Sequence, residues 1–141
     1  MSKQHYTVVP RTTCIDITVN AGEPLALRIP ILDDHDQPVE ITPGAEVLWK
    51  ALAQVRRNNF SSVVLHEWAT TGPDPNAEIL PGPASAVLLT ATADETAAWQ
   101  DWPDYTCAWD LYLTEPPTGG APSEPHRIAQ GGFRVWPAIT R

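Results

Sequence analysis

Apolar residues recur at every second position along much of the chain, the period of a strand that buries one face. Ile15, Ile17 and Val19 alternate with Asp16 and Thr18 until Asn20-Ala21-Gly22 breaks the run. Leu25, Leu27, Ile29 and Ile31 then alternate with Ala26, Arg28 and Pro30. Pro30 has no N–H to donate to a ladder, which predicts an edge or bulged strand. Asp33-Asp34-His35-Asp36-Gln37-Pro38 reads as a turn, because Asx side chains bond nearby backbone and proline fixes φ. A short extended piece, Val39 to Ile41, leads into a second turn at Thr42-Pro43-Gly44.

Glu46 to Val55 fits two periods. Val47, Leu48, Ala51, Leu52 and Val55 make a helical stripe, whereas Val47, Trp49 and the strands on either side favour a strand, which is our reading. Arg56 to Asn59 is a loop, and Val63 to Trp68 is the return strand of a hairpin. Thr70 to Pro83 is rich in Pro, Gly, Asp and Asn and reads as a loop holding an extended piece at Ala77 to Leu80. Ala86 to Thr92 is a strand.

Thr92-Ala93-Asp94-Glu95-Thr96 has the character of a helix start, with Thr or Asp as the N-cap and acids in the first turn. Pro103 stops that helix by about Trp99 or Asp101. The strongest strand follows. Tyr105, Cys107, Trp109, Leu111 and Leu113 share one face, and Thr106, Ala108, Asp110, Tyr112 and Thr114 the other. Glu115 to Pro125 is a long proline-rich hairpin loop, and Ile128 to Trp136 a closing strand bent where Gly131-Gly132 permits a bulge. Residues 1–12 form an N-terminal arm and 137–141 a C-terminal tail.

The pattern predicts one all-β domain of 141 residues: an immunoglobulin-like antiparallel β-sandwich of about seven or eight strands, with one short helix before the penultimate strand.

Composition sharpens this reading. The 15 prolines oppose long helices. The net charge of -8 repels phosphate backbones and anionic headgroups, so neither nucleic acid nor membrane is an expected partner. No apolar run approaches the roughly 20 residues that cross a bilayer. The N-terminus lacks the apolar stretch of a secretory signal, so synthesis and folding in a cytoplasm are expected. Cys14 and Cys107 lie in apolar strands and are expected as two buried free thiols, with a disulfide open if those strands are neighbours.

Candidate chemistry is sparse. His5, His35, His66 and His126 show no metal-ligand spacing. Asp33, Asp34 and Asp36 begin like a calcium loop, but counting from Asp34 the sixth position is Val39 where the loop needs Gly. Ser85 sits in Gly82-Pro83-Ala84-Ser85-Ala86, which lacks the second glycine of a nucleophile elbow. No catalytic, cofactor or metal residue is expected, and an enzyme is not.

Tryptophan is the enriched residue, with six. Trp109 and Trp49 are expected in the core. Trp99 and Trp102 flank the short helix and would cap one end of the domain. Trp68 and Trp136 stand at strand ends and are candidates for an interface, joined by Pro116, Pro117 and Pro122 in the long loop.

The order of these pieces resembles a family of small immunoglobulin-like virion proteins of tailed phages, among them the N-terminal domain of upper-baseplate proteins. The resemblance covers nearly the whole chain. It begins at Asn20-Ala21-Gly22-Glu23-Pro24-Leu25 and continues through the hairpin from Leu32 to Ala45, similar to "D-x-x-G-x-P-V-D-L-T-G-A". Leu88 to Thr96 is like "L-T-x-x-x-T", Tyr105 to Leu111 like "Y-x-Y-D-L", and Ile128 to Val135 like "L-x-x-G-x-x-x-V", followed by Thr140-Arg141. Gln37 departs from the family's turn glycine, and the loops at Thr70 to Pro83 and Glu115 to Pro125 look longer. The resemblance implies a structural virion protein without cofactors, present in multiple symmetric copies and partnered by tail, baseplate, fibre or capsid proteins. Head decoration, or association with the head–tail connector, is the alternative within that class. A carbohydrate-binding module is the alternative outside it.

Overall fold

The computed structural model describes residues 12–103, 105–117 and 123–137. Nine strands occur among them: β1 (Thr13–Cys14), β2 (Ile17–Asn20), β3 (Leu25–Pro30), β4 (Lys50–Arg56), β5 (Val64–Ala69), β6 (Ala77–Leu80), β7 (Ala86–Ala91), β8 (Cys107–Thr114) and β9 (Pro125–Trp136). One helix, α1 (Ala93–Ala98), runs into a 3₁₀ turn at Trp99–Asp101, and a second 3₁₀ turn spans Ala45–Leu48.

The strands form two sheets. The larger, six-stranded sheet runs β9-β8-β4-β5, with β1 and β2 both on the free side of β9, and the smaller is β3-β7-β6. Pairing is antiparallel except at β1 and β2, which run parallel to β9. The sheet is therefore mixed, where antiparallel pairing throughout was expected. A parallel pair needs a long connection between its strands, and here almost the whole chain supplies it.

The inner faces close on one core. Ile17, Val19, Ala53, Val55, Leu111 and Phe133 of the larger sheet join Ile29, Ile79, Val87 and Leu89 of the smaller in a single buried cluster. Trp68 of β5 stitches the two layers, its Nε1 donating to the Thr90 carbonyl of β7 at 2.9 Å.

Several elements begin or bend elsewhere than the pattern predicts. Glu46 to Val55 is not one strand. Gly44 takes φ 97°, Ala45–Leu48 winds into the 3₁₀ turn, and β4 starts at Lys50, which leaves Val47 and Leu48 exposed. β8 starts at Cys107, and Tyr105 lies outside it, exposed. The bend in β9 is not at the glycines: the register shifts opposite Leu111/Tyr112, where Ile128 is passed over.

Gly131 and Gly132 serve another purpose. Between β1 and β2 the chain presses onto them: a Cβ on Gly131 would stand 1.9 Å from the Ile15 carbonyl oxygen. That oxygen accepts from Trp109 Nε1 at 2.8 Å, and the Asp16 carboxylate accepts from the Gly132 N–H at 2.9 Å.

The helix start is the one read from sequence, with the cap resolved to Thr92. Its hydroxyl accepts from the Glu95 N–H and the Glu95 carboxylate accepts from the Thr92 N–H, a reciprocal capping box.

Candidate functional site

The register of the sheets defines two ends of the domain. At one, the turn end, lie the β4–β5 turn, Tyr105 before β8, α1 and Trp136 at the close of β9. At the other, the loop end, lie the β3–β4 connection, the segment after β5, and the chain around Glu115 and Glu124 that flanks the β8–β9 loop.

The five interface candidates scatter over this frame. Trp68 is corrected outright: it is 0 % exposed. Its place at the end of β5 does not bring it to solvent, because it pairs with buried Ala53 and shares that inward parity. Trp136 is 48 % exposed at the turn end, with the Arg134 guanidinium 4.6 Å from its ring centroid. Pro116 and Pro117 stand at the loop end, half-buried and exposed respectively, and Pro122 lies outside the described residues. The structure thus separates Trp136 from the prolines by the length of the sheet. The arm at residues 1–12 and the tail at 137–141 also lie outside the described residues, save Thr12 and Pro137.

The remaining tryptophans are internal fittings. Trp109 is buried, and Trp49 is half-buried against the core. Trp99 is buried and stacks on half-buried Trp102 with centroids 4.8 Å apart, and both meet Phe133. His66 enters the same cluster, edge-on to Trp68 at 4.4 Å. Burial holds its imidazole below the ordinary pKa, with Glu95 and Glu67 opposing, and its buried Nε2 has no hydrogen-bond partner.

Exposed apolar side chains mark both ends, and of these the sequence reading singles out Trp136 alone. Phe60 (96 % exposed), Val63, Val64, Tyr105 and Trp136 lie at the turn end, and Val47 (77 %) and Leu48 at the loop end. Leu52 sits mid-strand on the larger sheet's outer face. An irregular spacing hid the first group: Phe60, Val63 and Val64 follow an Arg-Arg-Asn-Asn loop, where apolar residues carry no periodic signal.

Charge is divided as well. Lys50, Arg56, Arg127 and Arg134 point outward from the larger sheet, and Arg57 follows β4; Arg28 is the one other cation among the described residues. The loop end is acidic. Asp33, Asp34, Asp36, Glu40 and Glu46 lie in the β3–β4 connection, Asp74 after β5, and Glu115 and Glu124 beside the β8–β9 loop. The Asp33 carboxylate accepts from the Gln37 and His35 amides, which holds its pKa below the usual value. It closes a turn in which Asp36 takes φ 62°.

Cys14 is exposed and Cys107 buried, both as free thiols; the expectation of two buried thiols is corrected at Cys14. Cys14 pairs with Gln130 and Cys107 with Phe133 on opposite sides of β9. β1 is an edge strand and Cys14 shares the outward parity of Gln130, which turns its side chain to solvent. Among the described residues no three His, Cys, Asp or Glu side chains lie close enough to hold a metal ion. No helix there is long and apolar enough to cross a membrane.

Compared with known proteins, the chain matches no family model and no curated sequence.

Proposed function

We propose that this chain is a non-enzymatic structural module of a tailed bacteriophage particle, an immunoglobulin-like β-sandwich that holds neighbouring proteins in the tail, at the baseplate or at a fibre attachment. The strand order supports the fold reading. β9-β8-β4-β5 opposite β3-β7-β6 follows the immunoglobulin arrangement G-F-C-C′ over B-E-D, with a helical turn before the penultimate strand. A fold does not carry a function by itself.

The observation that carries the holding role is the placement of exposed apolar side chains at the two ends of the domain. Such groups mark surfaces that other proteins cover. A rigid body with an adhesive patch at each end acts as a spacer between neighbours, and repetition of copies makes modest contacts durable. The rival carbohydrate reading needs at least two open, coplanar rings. Trp68, Trp99 and Trp109 are buried, and the ring of Trp136 lies beneath Arg134.

Electron microscopy of purified phage particles carrying a tagged copy tests the proposal. Label at a fixed tail or baseplate position is the expected image; label on the head would select head decoration instead. Particles that form and infect without any copy of the chain would refute the proposal.

A further inference from the structure

We infer that β6 takes up an extended segment of a neighbouring protein as an added strand, one with apolar side chains two residues apart and a lysine or arginine between them. The inference rests on the structural-module reading and gives it a mode of attachment. The register fixes which backbone groups of β6 are open. The Thr90 N–H donates to the Asn76 carbonyl at 3.3 Å and the Ile31 N–H to the Ser85 carbonyl at 3.1 Å, so even residues of β7 face β6 and odd ones face β3. Glu78 and Leu80 therefore bond to β7. The N–H and C=O groups of Ala77 and Ile79 turn to the free edge, where no described residue bonds to them. Ile79 is 5 % exposed, and a backbone donor and acceptor so withdrawn from water gain from any partner laid against them.

Two other edges are closed to such an addition. Asn76 occupies that of β5: its Oδ1 accepts from the Ala69 N–H at 2.8 Å and its Nδ2 donates to the Glu67 carbonyl at 2.9 Å. On β3 the same parity turns the backbone of Ala26, Arg28 and Pro30 outward; Pro30 has no N–H to offer, and Arg28 is charged and exposed. Along β6 lies an open cleft of about 360 Å³, lined by Ala77, Glu78 and Ile79 together with Trp49, Lys50 and Thr70.

The edge also selects its occupant. Residues set opposite Ala77 and Ile79 share their inward parity and enter the cleft with Trp49, which calls for apolar side chains. The residue between them stands opposite exposed Glu78, where a cation is favourable and a carboxylate is not. Lys50 and Glu46 line the same cleft with opposite charge, which leaves Glu78 to set the preference. A second copy added through its own β6 would put Glu78 directly against Glu78, so the edge favours a basic-centred segment of another protein.

The test pans a displayed library of random heptapeptides on the full chain. Enriched sequences should share an apolar–basic–apolar triplet, and a synthetic peptide of that sequence should slow hydrogen exchange at the Ala77 and Ile79 amides. N-methylation at either apolar residue of the triplet removes an N–H that meets β6 and should weaken binding about tenfold; at the basic residue it should have little effect. Glu78→Lys changes an exposed side chain, so the variant should keep the wild-type circular dichroism. It should bind the basic-centred peptide about fivefold more weakly and turn the library's central preference to Asp or Glu. No enrichment, sequences without the triplet, protection at Ala26 and Arg28 instead, or a preference unmoved by Glu78→Lys would overturn the inference. A chain that binds no peptide yet is found in purified particles would defeat strand addition and leave the structural module standing; a peptide-binding chain absent from particles would do the reverse.

Discussion

Gly131→Ala tests how the N-terminal strands are fastened to β9. The added Cβ would meet the Ile15 carbonyl oxygen at 1.9 Å and its carbon at 2.6 Å, both backbone atoms that cannot swing aside like a side-chain tip. Ile15 is held by two bonds, its N–H to the Gln130 carbonyl at 2.8 Å and its carbonyl from Trp109 Nε1 at 2.8 Å. Relieving the clash withdraws Ile15 and breaks or stretches both. An unpaired indole N–H on buried Trp109 costs about 1–3 kcal/mol, and the lost amide bond about 0.5–1.5 kcal/mol. The expected destabilisation is about 2–4 kcal/mol, a large share of the roughly 5–15 kcal/mol that holds a domain folded. The melting temperature should fall by about 10 °C. Urea unfolding followed by tryptophan fluorescence reads the loss. Gly22→Ala gives the scale for backbone strain alone: φ there is +90° with nothing within 4 Å, and the cost should be about 1–2 kcal/mol. Trp109→Phe removes the donor, so its effect should combine with Gly131→Ala at about 1 kcal/mol less than the sum. A Gly131→Ala protein within about 0.5 kcal/mol of wild type, or strict additivity with Trp109→Phe, would refute the reasoning.

Thr92→Ala removes one half of the capping box and should cost about 1 kcal/mol in the same urea assay; no loss would mean the cap is dispensable. Burial lowers the His66 pKa, so the unfolded chain takes up a proton at about pH 6.5 before the folded protein does. Stability is whole above that pH and falls as pH drops toward the lowered folded value, and His66→Gln should flatten the slope of urea midpoint against pH; parallel curves would count against the assignment. A thiol reagent should modify Cys14 at once and Cys107 only on unfolding, since the first is exposed and the second is buried with a raised pKa; two fast equivalents would contradict the packing of β8.

Alternation made most strands legible because burial on one face imposes a period of two. β2, β3, β7 and β8 fall within the predicted runs, and Thr92 to Glu95 carried enough capping chemistry to place the helix. What alternation does not encode is the partner. Thr13 to Asn20 looks the same beside β9 in either direction, so the parallel ladder had no signal. Parity also decides exposure more firmly than position in a strand. Trp68 lies near the end of β5, yet it has the parity of His66 and faces the core. Its pairing with Ala53 sets that parity, and the register shift that passes over Leu65 interrupts the alternation of β5, so the sequence pattern does not show which face Trp68 takes. The exposed side chains at the two ends were illegible for the opposite reason. Val47, Leu48 and Phe60 sit in turns, where an apolar residue looks like a core residue until the backbone turns it outward.

The parallel ladder between β2 and β9 has a mechanical consequence. Thr13 enters the larger sheet opposite Ala129, at mid-length, and runs toward the turn end, where Trp136 leaves it, so the described chain departs in opposite directions along neighbouring strands. Tension applied through the two termini would load the rungs from Ile17–Phe133 to Asn20–Trp136 in shear and together, where a hairpin pulled from its open end parts rung by rung. The domain is thereby wired to bear traction along its long axis.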